Sequence, residues 1–243
     1  MTTRTNPSRR QELASARSNP ISNEVDTHVG LRAQEMTLSE YERWETRFAG
    51  AGYAFGTAPN VFLASCRSIL PASGRALAVA DGEGRNGVWQ AQQELQVLSL
   101  DFSPAAQRKG KALARARGVE VTFVLADVHA WTYPESAFDV VVEIFAQFSS
   151  PPERERKWAG MRKAIKPGGL LIIQGYTPKQ LQYGTGGPKQ IENLYTRALL
   201  EEAFCGYRDM TIVEEDVELH EGASHDGMSA VINFIARKPR RLR

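Results

Sequence analysis

Leu77-Ala78-Val79-Ala80-Asp81-Gly82-Glu83-Gly84-Arg85-Asn86-Gly87 is an apolar run that breaks at a glycine turn and opens into a helical stretch. As letters, Gly82 to Gly87 satisfy G-x-G-x-x-G, the pattern that lets a ligand press on a backbone free of Cβ atoms and meet the N–H groups of a helix start. Alone, the same letters also describe a plain glycine turn. The surroundings decide between the two readings.

Working outward, helical Asn86 to Glu94 is followed by an apolar strand at Val97 to Leu100, then Ser103-Pro104 as N-cap and first-turn proline of a helix reaching Arg117. Val121 to Leu125 reads as a third strand. Phe138 to Phe145, apolar apart from Asp139 and Glu143, reads as a central strand buried on both faces. A helix over Pro152 to Ile165, a turn at Pro167-Gly168-Gly169, a fifth strand at Leu170 to Ile173 and a helix over Leu194 to Phe204 complete a β-α rhythm. Thr211 to Glu218 and Met228 to Ala236 alternate as half-exposed antiparallel edge strands do. Upstream, Thr37 to Phe48, opened by the capping box Thr37-x-x-Glu40, and Val61 to Ile69 read as helices. Residues 1–34, rich in Ser, Thr, Asn, Arg and Pro, read as a flexible tail, 35–238 as one domain, and 239–243 as a basic tail.

The chain has 243 residues, 24% charged and 42% hydrophobic, enough for one large α/β domain. Thirty basic and 28 acidic side chains leave a formal charge of +2, which argues against a nucleic-acid partner and leaves room only for a local basic patch. Cys66 and Cys205 stand alone, so neither a disulfide scaffold nor a thiolate metal site is expected, and a reduced, cytoplasmic setting fits. Four scattered histidines make no metal motif. No apolar run approaches the ~20 residues that span a bilayer, so no membrane partner is expected.

Asp101 ends the second strand, where a carboxylate can accept both hydroxyls of a ribose, and Phe102 follows as an apolar shelf for adenine. Asp127 ends the third strand, placed for an exocyclic amine. Each aspartate has a plain alternative as a strand-terminating turn residue. With the glycine loop they outline a nucleoside site at the carboxyl ends of adjacent strands. These segments, with Phe138-Asp139-Val140-Val141 and Lys166-Pro167-Gly168-Gly169-Leu170, resemble the class I S-adenosylmethionine-dependent methyltransferases over Thr37 to Lys238. Trp44-Glu45-x-Arg47-Phe48, Tyr53-x-Phe55-Gly56-x-x-Pro59-Asn60 and Gly175-Tyr176-Thr177-Pro178 look most like the tellurite-resistance and thiopurine methyltransferase branch.

The resemblance implies a Rossmann-like, seven-stranded, mostly parallel sheet with helices on both faces and an antiparallel edge strand. It implies S-adenosyl-L-methionine as cofactor, with Gly82 and Gly84 along the methionine portion, Asp101 on the ribose, and Asp127 with Val128 around the adenine. Asp81 and Ile144 join the cofactor set, and Arg47 and Tyr53 close over the methionine end. Two positions depart from the family: Ala78 where an acid is usual and Ala80 where glycine is usual, so that cofactor affinity is weaker or carried by Asp81 and Glu83. A non-catalytic cofactor-binding module and an NAD(P)-dependent oxidoreductase are the rivals. No Asn/Asp-Pro-Pro-aromatic turn or Pro-Cys pair is present, which disfavours DNA bases and planar amines and points to a small-molecule acceptor with a soft or anionic sulfur, selenium or tellurium atom. Tyr183 to Pro188 reads as a mobile lid or a plain flexible connection. His225, in Glu221-Gly222-Ala223-Ser224-His225-Asp226-Gly227, reads as a surface turn residue or as the catalytic group, taking the acceptor's proton or, when charged, holding an anionic acceptor. Neither the acceptor's identity nor an oligomeric state is fixed by these residues.

Overall fold

The computed structural model describes residues 38–222 and 225–240; the expected tail at 1–34, Thr37 and the last three residues lie outside them. Seven strands form one sheet in the order β3-β2-β1-β4-β5-β7-β6: β1 (Gly74–Val79), β2 (Leu95–Asp101), β3 (Val121–Leu125), β4 (Phe138–Ile144), β5 (Ile165–Tyr176), β6 (Arg208–His220) and β7 (Asp226–Arg237). The first five pair in parallel, and β7 runs antiparallel to both β5 and β6. Because sequential strands build leftward from β1 and then rightward through β4, the order reverses between β1 and β4, where such sheets leave a crevice at the carboxyl ends of their strands.

Helices α1 (Leu38–Ala49), α2 (Val61–Ser65), α3 (Arg85–Gln92), α4 (Pro104–Arg117), α5 (Pro151–Ala164), α6 (Gln180–Tyr183) and α7 (Arg197–Ala203) complete the domain. Local chemistry sets their ends. Ser103 accepts from the Ala106 N–H and Pro104 follows it, so α4 starts as expected. Ser150 and Glu153 form a reciprocal capping box ahead of α5. Asn60 caps α2, whose continuation to Ile69 is a 3₁₀ turn. Glu40 accepts from Arg43 and from the Trp44 indole N–H at 2.6 and 3.2 Å, and the other half of its expected capping box, Thr37, lies outside the described residues.

Three expectations are corrected. Met228 to Ala236 is not an edge: β7 lies between β5 and β6 and is buried from Ser229 to Phe234, leaving β6 as the edge. The Pro167-Gly168-Gly169 turn is an irregularity inside β5, which begins at Ile165 and shifts register against β4 between Phe138 and Val140. The Leu194 helix begins at Arg197, because Thr196 caps it by accepting from the Leu199 N–H.

A buried charge pair fixes the loop after β4. The Glu143 carboxylate accepts from Lys157 Nζ at 3.0 Å, Tyr195 OH at 2.5 Å and Trp158 Nε1 at 2.8 Å, while Lys157 also donates to the Ala146 carbonyl at 2.6 Å. Both charged side chains are fully buried. Burial holds the Lys157 ammonium below its ordinary pKa, against the Glu143 carboxylate that supports it. At the other side of the crevice Ala80 has φ +52°, a left-handed conformation that costs an L-residue roughly 1–2 kcal/mol and glycine nothing.

Two expected outcomes follow from these features. Lys157→Met leaves a carboxylate buried without its cation and lowers stability by about 3–5 kcal/mol in urea titrations, and a loss below about 1 kcal/mol would mean the pair is solvated. Ala80→Gly relieves the left-handed alanine at the cost of about 0.5–1 kcal/mol of chain entropy. Its melting temperature rises by roughly 2–4 °C per kcal/mol gained, whereas a lowered melting temperature would mean an ordinary strand conformation at Ala80.

Candidate active site

The crevice holds a cavity of about 70 Å³ that adjoins one of about 300 Å³, the two sharing Trp44, Phe145, Phe148 and His225. Its floor is the end of β1 (Ala80, Asp81, Gly82), the end of β2 (Asp101, Phe102) and the end of β4 (Ile144, Phe145, Ala146). Trp44 and Phe48 of α1, with Phe55, cover it. The larger cavity adds Arg47, Tyr176 and the glycine loop Gly186-Gly187-Pro188, so the segment expected as a lid borders the site.

Asp101 ties two strand ends together. One carboxylate oxygen accepts from the Gly82 N–H at 2.8 Å and the other from the Ser103 N–H at 2.9 Å. Burial pushes its pKa up to about 6, against these backbone donors and with a smaller push from the Glu45 carboxylate. Asp81 accepts from Ser99 Oγ at 2.8 Å and from the Gly87 N–H at 3.1 Å. Burial raises it further, to about 7. Two carboxyl groups thus sit in the floor, each held by its own protein partners while facing the cavity.

A second polar network joins the cover to the far side. Asn60 Nδ2 donates to Gln174 Oε1 at 2.7 Å and to Glu221 at 2.9 Å, the Val61 N–H donates to Glu221 at 2.9 Å, and Arg85 Nη2 meets Glu221 at 2.5 Å. Glu221 is buried and begins the β6–β7 turn, which packs so closely on the cover that a Cβ on Gly222 would come within 2.6 Å of the Gly56 nitrogen. Beside it the His225 ring lies 4.5 Å from the rings of Phe55 and Phe145, and its buried Nδ1 has no hydrogen-bond partner among the described residues. Burial pushes the imidazole down to about 3, with Arg85 and Arg47 adding to the fall. With no anion beside it, His225 is therefore neutral near neutral pH.

Of the residues singled out from sequence, Asp81, Gly82, Asp101, Phe102, Ile144 and His225 line the smaller cavity and Arg47 the larger. The Arg47 guanidinium lies 4.9 Å from the Trp44 ring and has no carboxylate partner among the described residues; burial lowers its pKa. The others stand outside both cavities. Gly84, at φ +83°, faces α4 and β3, where a Cβ would come within 3.0 Å of Gly110 and 3.3 Å of Phe123. Tyr53 donates to the Lys109 carbonyl at 3.1 Å. Val128 is fully buried in the main core. Asp127 accepts from the His129 backbone N–H, and its carboxylate lies 2.9 Å from the His129 ring nitrogen. Burial would raise its pKa, but these His129 contacts hold it below the ordinary carboxylate range. Glu83, expected to help carry affinity, is used on the Ala54 N–H at 2.7 Å and on Lys109 at 2.8 Å, and Ala78 is buried in an apolar cluster. No sequence signal assigned Arg85, Phe145 or Phe148 a place in the site; Asn60 and the turn that starts at Glu221 were visible as letters, but nothing along the chain shows that they meet.

Residues 76–169 match the family model described as a methyltransferase domain. The demethylmenaquinone methyltransferase of Thermus thermophilus is 32% identical over 83 residues, which is 34% of this chain and 37% of that protein, so the chain spans well under half the length of this relative. TehB from Haemophilus influenzae superposes with a TM-score of 0.61 at 14% identity, over 82% of this chain and 67% of that one. The N-methyltransferase NodS from Bradyrhizobium japonicum, solved with S-adenosyl-L-homocysteine, gives a TM-score of 0.61 at 14% identity over 82% and 98%. At such identities the structural likeness is one of fold. Among the described residues no helix is long and apolar enough to cross a membrane, and no cluster of three or more His, Cys, Asp or Glu could hold a metal ion. Residues 76–169, which carry the glycine turn, Asp101 and the end of β4, are thus similar to a methyltransferase domain.

Proposed function

We propose that the chain, with 35–238 as its catalytic unit, transfers a methyl group from S-adenosyl-L-methionine to a small molecule presenting a soft or anionic sulfur, selenium or tellurium atom. The cofactor side of this reading is carried by one observation: a buried carboxylate, Asp101, and the glycine turn whose N–H it accepts line the same cavity. These residues fit the cofactor. In this reading Asp101 accepts the ribose hydroxyls, Phe102 and Ile144 flank the adenine, Arg47 pairs with the methionine carboxylate, and Gly82 admits the chain past the turn. Asp127 reaches the exocyclic amine only if His129 yields part of its hold. Gly84, Tyr53 and Val128 act one step back, by packing the walls.

When bound, the cofactor supplies a sulfonium methyl already activated for in-line displacement, so the protein's task is to align the nucleophile and keep out water. The acceptor side rests on the state of His225. An imidazole held near 3 is too weak a base to activate an alcohol or amine at neutral pH, so the acceptor arrives anionic or polarizable, and the free Nδ1 orients it by a hydrogen bond. The ring walls of Trp44, Phe145, Phe148 and Tyr176 favour a second reading, a planar quinone-type acceptor of the kind named for the Thermus relative.

Transfer of radiolabelled methyl to selenite, tellurite, small thiols and a demethylated naphthoquinol tests both. Turnover on a chalcogen acceptor is expected; turnover on the quinol alone would replace it with the second reading, and cofactor binding with no turnover on any acceptor would make the chain a non-catalytic module. On the acceptor so identified, His225→Ala is expected to lower turnover by about 10²-fold with cofactor affinity within about twofold, and wild-type turnover would leave His225 without a role in catalysis.

A further inference from the structure

Helix α4 carries Arg108, Lys109, Lys111, Arg115 and Arg117 and no acidic residue. Lys109 is accounted for by its ion pair with Glu83 at 2.8 Å. The other four are exposed, and none meets a carboxylate among the described residues. Arg115 and Arg117 lie in the last turn, where the helix dipole favours cations. Arg108 and Lys111 have no such reason. Arg108, Lys111 and Arg115 recur at i, i+3 and i+7 on one face, and like charges at these spacings oppose helix formation. The row runs about 10 Å along the helix at 1.5 Å per residue, too long for one phosphate to span.

Two of the row, Lys111 and Arg115, line one wall of a groove of about 630 Å³, with Arg75 on another and half-buried Phe123 and Val121 between them. Arg75 lies over the Phe138 ring at 5.2 Å, and Glu120 is the one acidic group of the lining. The strand residues of this groove, including Arg75, Gln96, Val121 and Phe138, come from the amino ends of β1 to β4, whereas the candidate active site lies at their carboxyl ends. A net charge of +2 conceals this asymmetry.

We propose that the α4 row and the groove form a docking surface for the phosphate backbone of a single-stranded nucleic acid, bound as a partner and not as methyl acceptor. A repeated anion matches a row of cations, and the half-buried Phe123 in the floor gives an unpaired base an apolar surface to rest on. A bilayer fits less well, because the outer face of α4 presents Ala112 and Ala116 between its cations and no large apolar group to insert.

Fluorescence anisotropy with labelled oligo(dT) and oligo(U) of about 16 nucleotides tests this, read across salt concentrations. Binding is expected with a slope of log K against log salt of about −2 to −3, as for three or four phosphates on a single strand. Arg108→Gln/Lys111→Gln/Arg115→Gln is expected to weaken it by about tenfold or more, while Arg156→Gln/Lys163→Gln/Arg208→Gln, which removes equal charge elsewhere, changes it by about twofold or less. Both triple variants are checked for unchanged melting temperature. No binding, an equal loss in both variants, or tighter capture by phosphatidylserine vesicles or polyglutamate than by the oligonucleotides would each overturn the proposal.

Discussion

Everything at the crevice depends on a carboxylate held between two strand ends. Asp101 closes β2, accepts the Gly82 N–H of the turn after β1, and accepts the Ser103 N–H that leads into α4. Removing such a group from water is costly, and two backbone donors offset the cost only in part, which is why its pKa stands near 6 instead of falling. Asp81 repeats the situation with Ser99 and the Gly87 N–H and stands near 7. Both folded-state values lie above the unfolded ones near 3.9. Their contribution to stability is therefore fully present below about pH 4 and is lost as pH rises through about 6 to 7, because the native state then binds more protons than the unfolded chain. Carboxyls kept at this disadvantage are common where a site needs their charge.

The cover over that floor is held by different chemistry. Glu221 gathers Asn60, the Val61 N–H and Arg85, so one buried acid joins the segment before α2, the start of α3 and the β6–β7 turn. On the opposite wall, Glu143 and Lys157 fix the Ala146 carbonyl, and Gln147 bonds the Tyr176 backbone N–H at 2.5 Å. Phe145, at φ +53° between these anchors, is a bulky residue in a conformation that needs such support, and its ring stacks on Tyr176 and meets His225. The aromatic enclosure and the depressed basicity of His225 thus have one cause, the packing of four elements around a turn.

Much of this was legible along the chain because it is local. Period, caps and turn residues place β1 to β4 and the helices α3, α4 and α5 within a few residues, since Ser103-Pro104 and Ser150-Pro151 act on their own neighbours. β7 was misplaced because its neighbour β5 ends at Tyr176, far back along the chain, and an apolar strand does not announce whether it is covered on its second edge. Gly84 was visible as a glycine, but its closeness to Phe123 and Gly110 was not. Val128, which the resemblance sets beside the adenine, is fully buried in the main core. Glu83 and Glu221 show the same limit: an acid's partner is set by tertiary contact, and each was found on the N-terminal segment that covers the site.

Calorimetric titration with S-adenosyl-L-methionine and S-adenosyl-L-homocysteine from pH 5 to 8, on the wild type and on Asp101→Asn, shows whether the Asp101 carboxylate holds the cofactor. If Asp101 binds the ribose as a carboxylate, wild-type affinity rises as pH passes through about 6, while Asp101→Asn binds more weakly by roughly 2–3 kcal/mol at pH 8 and loses that rise. Absence of binding to either ligand, or an Asp101→Asn profile that coincides with the wild type, would mean that Asp101 does not hold this cofactor.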